Sequence, residues 1–352
     1  MTDRGNGQAR DIHDADDGAG AAGDPHPRRP DFALVIGIDH YPHFRSLKGA
    51  VNDAQRFYDW LTRADGGGVD PVNVQFAPSQ PGQPRPLKDQ IDAALETLVR
   101  AAQAAGGGRR LYFHFSGHGG GGAPIDDVAL LLAEWSRTVG GRALSADKYR
   151  QELIGLHVFE EIVVLLDCCR RTAKSIRGLK PRLRLEPGPG CATMHFIAYA
   201  TEAGGLACES SDTDGEWHGE LTRCLLDILR AHGGISAGEL KRILFGRLQK
   251  TGRRAEIVDG LPPNSTFGPR GPLPVLEITF KEAIGEVTLI ARNAGNLVPI
   301  GSWPVDLGPW RQLLPNGLYR IEDTTGKHMI FEHAARVEET QDGEQVVTHV
   351  TF

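Results

Sequence analysis

Two stretches decide the fold: LYFHFSGHGGGG, residues 111–122, and IVVLLDCCRR, residues 162–171. Each opens with a short, continuous apolar run of the kind that forms a buried strand. One then runs into a histidine set among glycines, the other into an acid, two adjacent cysteines and two arginines. Similar runs flank them: FALVIGI (32–38), VNVQF (72–76) and MHFIAYA (194–200). Helical periods lie between and after these runs. Val51, Ala54, Phe57, Tyr58 and Leu61 share one face, as do Ile91, Leu95, Leu98 and Ala102; further periods run from Leu144 to Ile154, from Leu221 to Ile228 and from Leu240 to Leu248. Ser236 and Glu239 open the last of them in capping-box spacing. Strands alternating with helices predict an α/β fold, a mostly parallel sheet flanked by helices. Functional groups in such sheets gather at the carboxyl ends of the strands, so the histidine and the thiols are expected on one edge.

The chain has 352 residues, of which 40% are hydrophobic and 24% charged, with a formal charge of −6. That balance leaves no electrostatic footprint for nucleic acid. No apolar stretch is long enough to span a bilayer and the N-terminus lacks the pattern of a secretion signal, so a cytoplasmic address and no membrane partner are expected. Five cysteines without repeated pair spacing argue against a disulfide framework or a zinc ribbon. Residues 1–30, rich in Gly, Ala and Asp, are expected to form a disordered tail. A Pro/Gly-rich linker is expected at 260–273, dividing a domain at 31–259 from a small all-β, sandwich-like domain at 274–352. In the latter VLEITF, EVTLIARN, GLYRIED, HMIFEH and QVVTHVTF alternate in period two.

The glycine loop admits two readings. Gly117, Gly119 and Gly122 formally satisfy a dinucleotide fingerprint, which would make the chain a nucleotide-binding signalling protein. The following APIDDVALLLAE offers no helix start for a pyrophosphate. His118 alone is more often a loop histidine without a role. Cys168 and Cys169 are most simply buried packing, and a metal site from His114, His118, Cys168 and Cys169 is disfavoured because adjacent thiolates seldom share a tetrahedral ion. A Cys and a His at the ends of neighbouring parallel strands can instead meet as nucleophile and proton shuttle, and amide hydrolysis is the reaction they suit.

SGHGG followed about fifty residues later by LLDCCR resembles the caspase-haemoglobinase clan of cysteine peptidases, and most closely its paracaspase and metacaspase branches. ALVIGIDHYPHFRSLKGAVNDAQRFYDWL resembles the first strand, loop and helix of that fold, and FIAYATEAGGLACES with HGELTRCLLDIL its substrate-binding strand and the helix beyond. The resemblance covers roughly residues 31–250 and implies a three-layer caspase-like fold. By residue it implies Cys169 as nucleophile, His118 as general acid, and the backbone N–H groups of Gly119 and Cys169 as oxyanion hole. Strand alternation agrees, since only one of two adjacent side chains can face His118. Asp53, Asp167 and Glu209 fall where paracaspase-like enzymes hold a basic substrate side chain, with Ala200 and Thr201 on the substrate-binding strand. Taken singly, Asp53 suits a helix first turn and Glu209 a solvated surface. No third catalytic residue is marked.

The implied activity is an endopeptidase cutting after Arg or Lys, in regulated proteolysis, cell death or defence signalling. Its partners are a protein or peptide substrate and, through the C-terminal domain, a regulatory protein. A catalytically silent module keeping the fold is the alternative. No cofactor or metal is implied. Arg170 stands where metacaspases usually carry histidine and no calcium-binding acid cluster is recognisable, which leaves calcium dependence open. Residues 170–185, RRTAKSIRGLKPRLRL, carry Arg170, Arg171, Lys174, Arg177, Lys180, Arg182 and Arg184 without an acid. Mutual repulsion predicts an extended, exposed loop, and a protease specific for basic residues could cut itself there.

Overall fold

The computed structural model describes residues 29–121, 127–136, 138, 142–171, 176–188, 192–232, 234–252, 254–262, 265–268, 275–280, 285–293, 296–305, 308–313, 317–333 and 347–351. The predicted disordered tail lies outside them, apart from Arg29 and Pro30, as do Lys174, Gly122 and Cys191.

The first unit runs β1 (Asp31–Gly37), α1 (Ala50–Thr62), β2 (Val74–Pro78), α2 (Lys88–Ala104), β3 (Gly108–Ser116), β4 (Gly119–Gly121), β5 (Val128–Leu131), β6 (Ala143–Ser145), α3 (Ala146–Gly155), β7 (Phe159–Asp167) and β8 (Met194–Tyr199). It continues through β9 (Glu209–Ser211), β10 (Trp217–Gly219), α4 (Glu220–Ala231), β11 (Ile235–Ser236), α5 (Ala237–Lys250), β12 (Glu256–Asp259) and β13 (Thr266–Phe267). The main sheet has the order β12-β8-β7-β3-β1-β2, parallel except for the antiparallel edge strand β12. Strands β1, β3 and β7 are buried along almost their whole length, which is why they read as unbroken apolar runs.

Two apolar layers cover the sheet. On one face Leu34, Ile36, Phe113, Phe115 and Leu166 meet Ile91, Leu95 and Leu98 of α2 and Tyr149 and Leu153 of α3. On the other Ala33, Val35, Val163, Leu165 and Phe196 meet Phe57 and Leu61 of α1, Leu225 and Ile228 of α4 and Leu244 of α5. Alternate residues of one strand thus serve opposite layers, and the result is helix on sheet on helix. Ser236 caps α5, accepting the Glu239 N–H at 3.3 Å, as its spacing predicts.

Two expectations need correction. The linker at 260–273 is not all linker. Leu261 and Phe267 are buried in the first unit's core, β13 pairs with β11, and Ser265 and the Thr266 carbonyl accept from the buried Arg110 guanidinium at 2.6 and 2.9 Å. Proline and glycine marked irregular backbone there, not solvation. The described part of the basic loop, residues 176–185, is not free. Leu179 exchanges hydrogen bonds with Ser145 and Ala143 at 3.0 and 2.8 Å, and the Arg182 N–H reaches Asp92 at 3.2 Å. Gln103 holds the Glu186 carbonyl at 2.8 Å, and the Gly188 N–H meets the Leu156 carbonyl at 2.7 Å. Ile176 and Pro181 are buried and Leu183 and Leu185 pack on the core, while Arg177, Lys180, Arg182 and Arg184 face solvent. Apolar alternation outweighs charge repulsion, which solvent screens on the outer face.

The C-terminal unit comprises β14 (Val275–Phe280), β15 (Gly285–Asn293), β16 (Asn296–Val305), β17 (Gly308–Leu313), β18 (Gly317–Asp323), β19 (His328–His333) and β20 (Val347–Thr351). They form sheets ordered β17-β14-β20 and β16-β15-β18-β19. Ile278 and Phe280 of the first share one core with Val287, Leu289, Tyr319 and Ile321 of the second, as in two packed sheets.

Candidate active site

The ends of β3 and β7 lie side by side, with Ser116 opposite Asp167. His118 and Cys169 each follow two residues beyond that pair. The chain after Ser116 continues as β4 rather than a helix, pairing with β5 from Gly119↔Leu130 to Gly121↔Val128. A pyrophosphate therefore meets no helix N-terminus here, and the nucleotide reading of the glycine loop falls.

Glycine is required at 119 by close approach. A Cβ there would stand 2.6 Å from both the Cys168 sulfur and the Cys169 carbonyl oxygen. The loop after β3 is thus pressed against the loop after β7, which is where a shared oxyanion site needs them.

His118 is half-buried and held on several sides. Its backbone N–H donates to the Tyr41 hydroxyl at 2.9 Å, and that hydroxyl donates onward to the Leu131 carbonyl at 3.1 Å. The imidazole packs against the rings of Tyr41 and Phe44, centroids 4.8 Å away in each case. Its Nε2 lies 2.7 Å from the Arg45 carbonyl oxygen. A carbonyl only accepts, so Nε2 carries the proton and Nδ1 is the nitrogen left to take or return one. Burial pulls the imidazole pKa down, partly offset by the Arg45 carbonyl. The resting ring is neutral at pH 7. The Arg45 carbonyl thereby fixes the tautomer and orientation of the imidazole through the backbone.

The adjacent cysteines, just past the end of β7, take different surroundings. Cys168 is buried in the core, and burial pushes its thiol well above the ordinary range. Cys169 is half-buried, and its thiol donates to the Ala207 carbonyl at 3.4 Å. Arg170, grouped with the cleavable basic residues, is instead buried: its guanidinium pairs with Glu256, donates to the Thr201 carbonyl at 3.3 Å and stacks on Tyr199 at 4.1 Å. It fastens the loop after β7 to the sheet edge, and Arg170 leaves the set of candidate cleavage positions.

Asp53, Asp167 and Glu209 are brought together. Asp53, in the first turn of α1, is buried; its Oδ2 accepts from the Ser116 hydroxyl at 2.8 Å and the Gly219 N–H at 2.9 Å, while Oδ1 has no partner. Asp167 is buried at the start of α4, accepting from the Thr222 N–H at 2.8 Å. Gly219 stands between the two, where a Cβ would collide with the Asp167 carboxylate. Glu209 pairs with Gly219 across β9 and β10 and reaches over to accept from the Gly49 and Lys48 N–H groups at 2.8 and 3.1 Å. Burial first, then the charge of Asp167, raises the Asp53 pKa well above the carboxylate range. Burial pushes Asp167 up to about 6, against the lowering effect of its Thr222 bonds, with Glu220 and Glu209 adding to the rise. No salt bridge among the described residues reaches Asp53 or Asp167, so the pair has no cation of its own and burial pushes both carboxyls toward the protonated form.

Ala200 and Thr201 are buried, with the Ala200 N–H bonded to the Leu166 carbonyl at 3.1 Å. They shape the edge beside β7 through their backbone. Sequence reading missed Asp39, a buried acid accepting the Ala50 N–H at 2.7 Å and capping α1 beneath Asp53. Eleven residues separate the partners, so no capping spacing announced it. It also missed Ser116, Thr222 and Gly219, whose contacts cross 55 to 166 residues of chain.

Several known proteins are similar to this chain. A protein named as a probable protease in a Desulfuromonadales bacterium is 30% identical over 218 residues, covering 57% of this chain and 26% of that protein. Metacaspase-1 of Candida glabrata is 33% identical over 94 residues, covering 27% of this chain and 23% of that protein. The chain thus spans about a quarter of the length of these curated relatives. Among solved structures, caspase-1 from Spodoptera frugiperda aligns with a TM-score of 0.43 at 12% identity, over 66% of this chain and 88% of that one. A Geobacter sulfurreducens protein aligns at 0.46 and 14%, over 69% and 95%. The caspase domain family model matches residues 30–250, most of the first unit and well over half of the chain, and the chain therefore belongs to the caspase domain family of peptidases.

Proposed function

We propose that the protein is a cysteine endopeptidase that cleaves after arginine or lysine. One observation carries the specificity: two carboxylates, Asp53 and Asp167, are buried with no ion pair among the described residues, and Asp167 ends β7 two residues before Cys169. A guanidinium or ammonium entering from a substrate would supply the missing charge, ionising both acids as it binds. Glu209, at the rim, adds to the attraction. An aspartate in the same place would set like charges together in a poorly solvated site.

The reaction follows from the residue types. Nδ1 of His118 takes the Cys169 proton, the thiolate attacks the scissile carbonyl, and the Gly119 and Cys169 N–H groups receive the oxyanion. His118 then protonates the departing amine. Water repeats the cycle on the thioester and releases the acid product. The Arg45 carbonyl keeps a proton on Nε2, and the rings of Tyr41 and Phe44 hold the imidazole in place.

The test is a pair of fluorogenic peptides differing only in Arg or Asp before the scissile bond, with Cys169→Ala as control. Cleavage of the Arg peptide by wild type alone supports the reading, and preference for the Asp peptide overturns it. Self-processing belongs to the same proposal. The docked backbone from Ile176 onward is a poor substrate, so we assign the cut to the C-terminal side of Arg171 or Lys174. A cytoplasmic site of action and a regulatory partner for the C-terminal unit complete the proposal.

A further inference from the structure

The exposed Cys208 stands next to the residue on which the nucleophile rests. The Cys169 thiol donates to the Ala207 carbonyl at 3.4 Å, and Cys208 follows Ala207 in the chain. A carbonyl oxygen and the next Cα lie in one peptide plane, so the Cys208 Cα is within about 6 Å of the Cys169 sulfur. This approach is built rather than incidental. The Gly204 N–H donates to the Arg170 carbonyl at 3.0 Å and the Arg170 N–H to the Gly205 carbonyl at 3.1 Å, lashing the 204–208 loop to the nucleophile loop. On that loop Glu202, Ala203, Gly204, Leu206 and Cys208 are exposed.

We propose that Cys169 and Cys208 form a reversible redox pair in which Cys208 is the resolving thiol that protects the nucleophile from irreversible oxidation. The inference rests on the reading of Cys169 as nucleophile. Its oxidant is a hydroperoxide. The Cys169 thiolate attacks the terminal peroxide oxygen; the O–O bond breaks, and the departing alkoxide takes the thiol's proton as an alcohol. The Cys208 thiolate attacks the resulting sulfenic sulfur, an S–S bond forms, and the S–O bond breaks to give water with the Cys208 proton. Two thiols and a hydroperoxide thus become a disulfide, an alcohol and water. A dithiol reverses the last step.

Cys168 is a poor rival in spite of adjacency. It is buried in the core on the opposite side of the strand, out of reach of a diffusing oxidant, and burial keeps it protonated. A disulfide would require the two Cα atoms to stand about 4.4–6.8 Å apart, and the exposed Cys208 lies on the loop that would move to meet this. The bond would also pull on Glu209, the next residue, whose carboxylate holds the Lys48 and Gly49 N–H groups. Oxidation would then remove the nucleophile and disturb the pocket for the basic side chain together.

The full-length chain, reduced and then exposed to hydrogen peroxide, is alkylated, digested and mapped by mass spectrometry. The expected product joins the peptides bearing positions 169 and 208 with the loss of two hydrogens, and dithiothreitol releases it. Cys168→Ser should still form it. Cys208→Ser should not, and Cys169 should instead advance to the sulfinic acid. After peroxide excess and dithiothreitol, wild type should recover at least about tenfold more peptidase activity than Cys208→Ser. Sulfinic acid at Cys169 of wild type without the cross-link, or a cross-link to Cys168, Cys191 or Cys224 instead, overturns the pairing. The mapping reads sulfur chemistry, not turnover. A reduced protein that forms the cross-link but cleaves no peptide would therefore overturn the proposed protease and leave the redox pair standing.

Discussion

Strands β3 and β7 bury charge at both of their ends, and the two ends treat it in opposite ways. Near the start, Arg110 lies opposite Glu161 and is completely buried. It donates to Glu161 at 2.7 Å, to the Tyr112 hydroxyl at 2.9 Å and to Ser265 and the Thr266 carbonyl, while Arg109 pairs with Asp31. At the other end Ser116 lies opposite Asp167, and Asp167 and Asp53 share only neutral donors. A buried charge with every partner in place is structural; a buried charge lacking a partner costs stability and is kept where something must bind. On this reading the start of the strand pair holds the fold, and the end awaits a cation from outside.

The strongest way to break the comparison is at the sulfur beside the uncompensated end. Cys169→Ala should abolish peptide cleavage, a loss of at least about 10³-fold, with the melting temperature unchanged. Cys168→Ala should keep most activity and lose about 1–2 kcal/mol of stability as a small core truncation. Kinetics beside thermal melts of both variants decide it, and equal loss of activity in two folded proteins would reverse the assignment.

Next in size is the compensated end. Arg110→Met should cost about 3–5 kcal/mol, because Glu161 and two buried acceptors lose their donor. Activity per folded molecule should hardly move. Denaturant titration combined with active-site titration measures the two separately.

At the uncompensated end the signs invert. Asp167→Asn should lower kcat/KM for Arg peptides about 100-fold while leaving stability at pH 7.5 equal or higher, since a buried negative charge is removed without changing shape. A variant both less stable and fully active would mean that Asp167 is structural after all.

The smallest thermodynamic effect is the pH profile of stability. Asp167 has its folded pKa raised from 3.8 to about 6, so the folded state holds its proton more tightly than the unfolded chain does. Its contribution is fully present below the unfolded value and is lost as pH rises through about 6. Wild-type stability should therefore decline between pH 4 and pH 6 relative to Asp167→Asn, as melts across that range would show. Arg-peptide cleavage should rise over the same interval as the pocket ionises. Last, intact-mass analysis of stored wild type beside Cys169→Ala should find wild-type fragments ending at Arg171 or Lys174. Fragments ending at Arg182 or Arg184 would mean that the docked strap opens readily.

Much of this was legible without coordinates, for an identifiable reason. Fully buried strands advertise themselves as unbroken apolar runs, so β1, β3, β7 and β8 could be placed, and the reactive residues followed directly from where those runs stop. The different surroundings of Cys168 and Cys169 follow the alternation of β7 carried just past its end at Asp167. Edge strand β12 and the short strands β4, β6 and β13 were illegible because they are brief and owe their shape to a neighbour. The basic strap was misjudged because its charges were weighed without its alternation: Ile176, Leu183 and Leu185 face inward and the arginines between them face water.

The sequence by itself determined the alternation of strands and helices, the two loaded loops and the residue types able to make a nucleophile, a proton shuttle and an acidic pocket, because these depend on local composition and short periods. Tertiary structure alone decided the rest. A backbone carbonyl has no letter of its own, so Arg45 could not be seen orienting His118. A carboxylate's countercharge is a fact about space, so only the fold shows that Arg170 meets Glu256, that Arg110 meets Glu161, and that Asp53 and Asp167 meet no cation among the described residues.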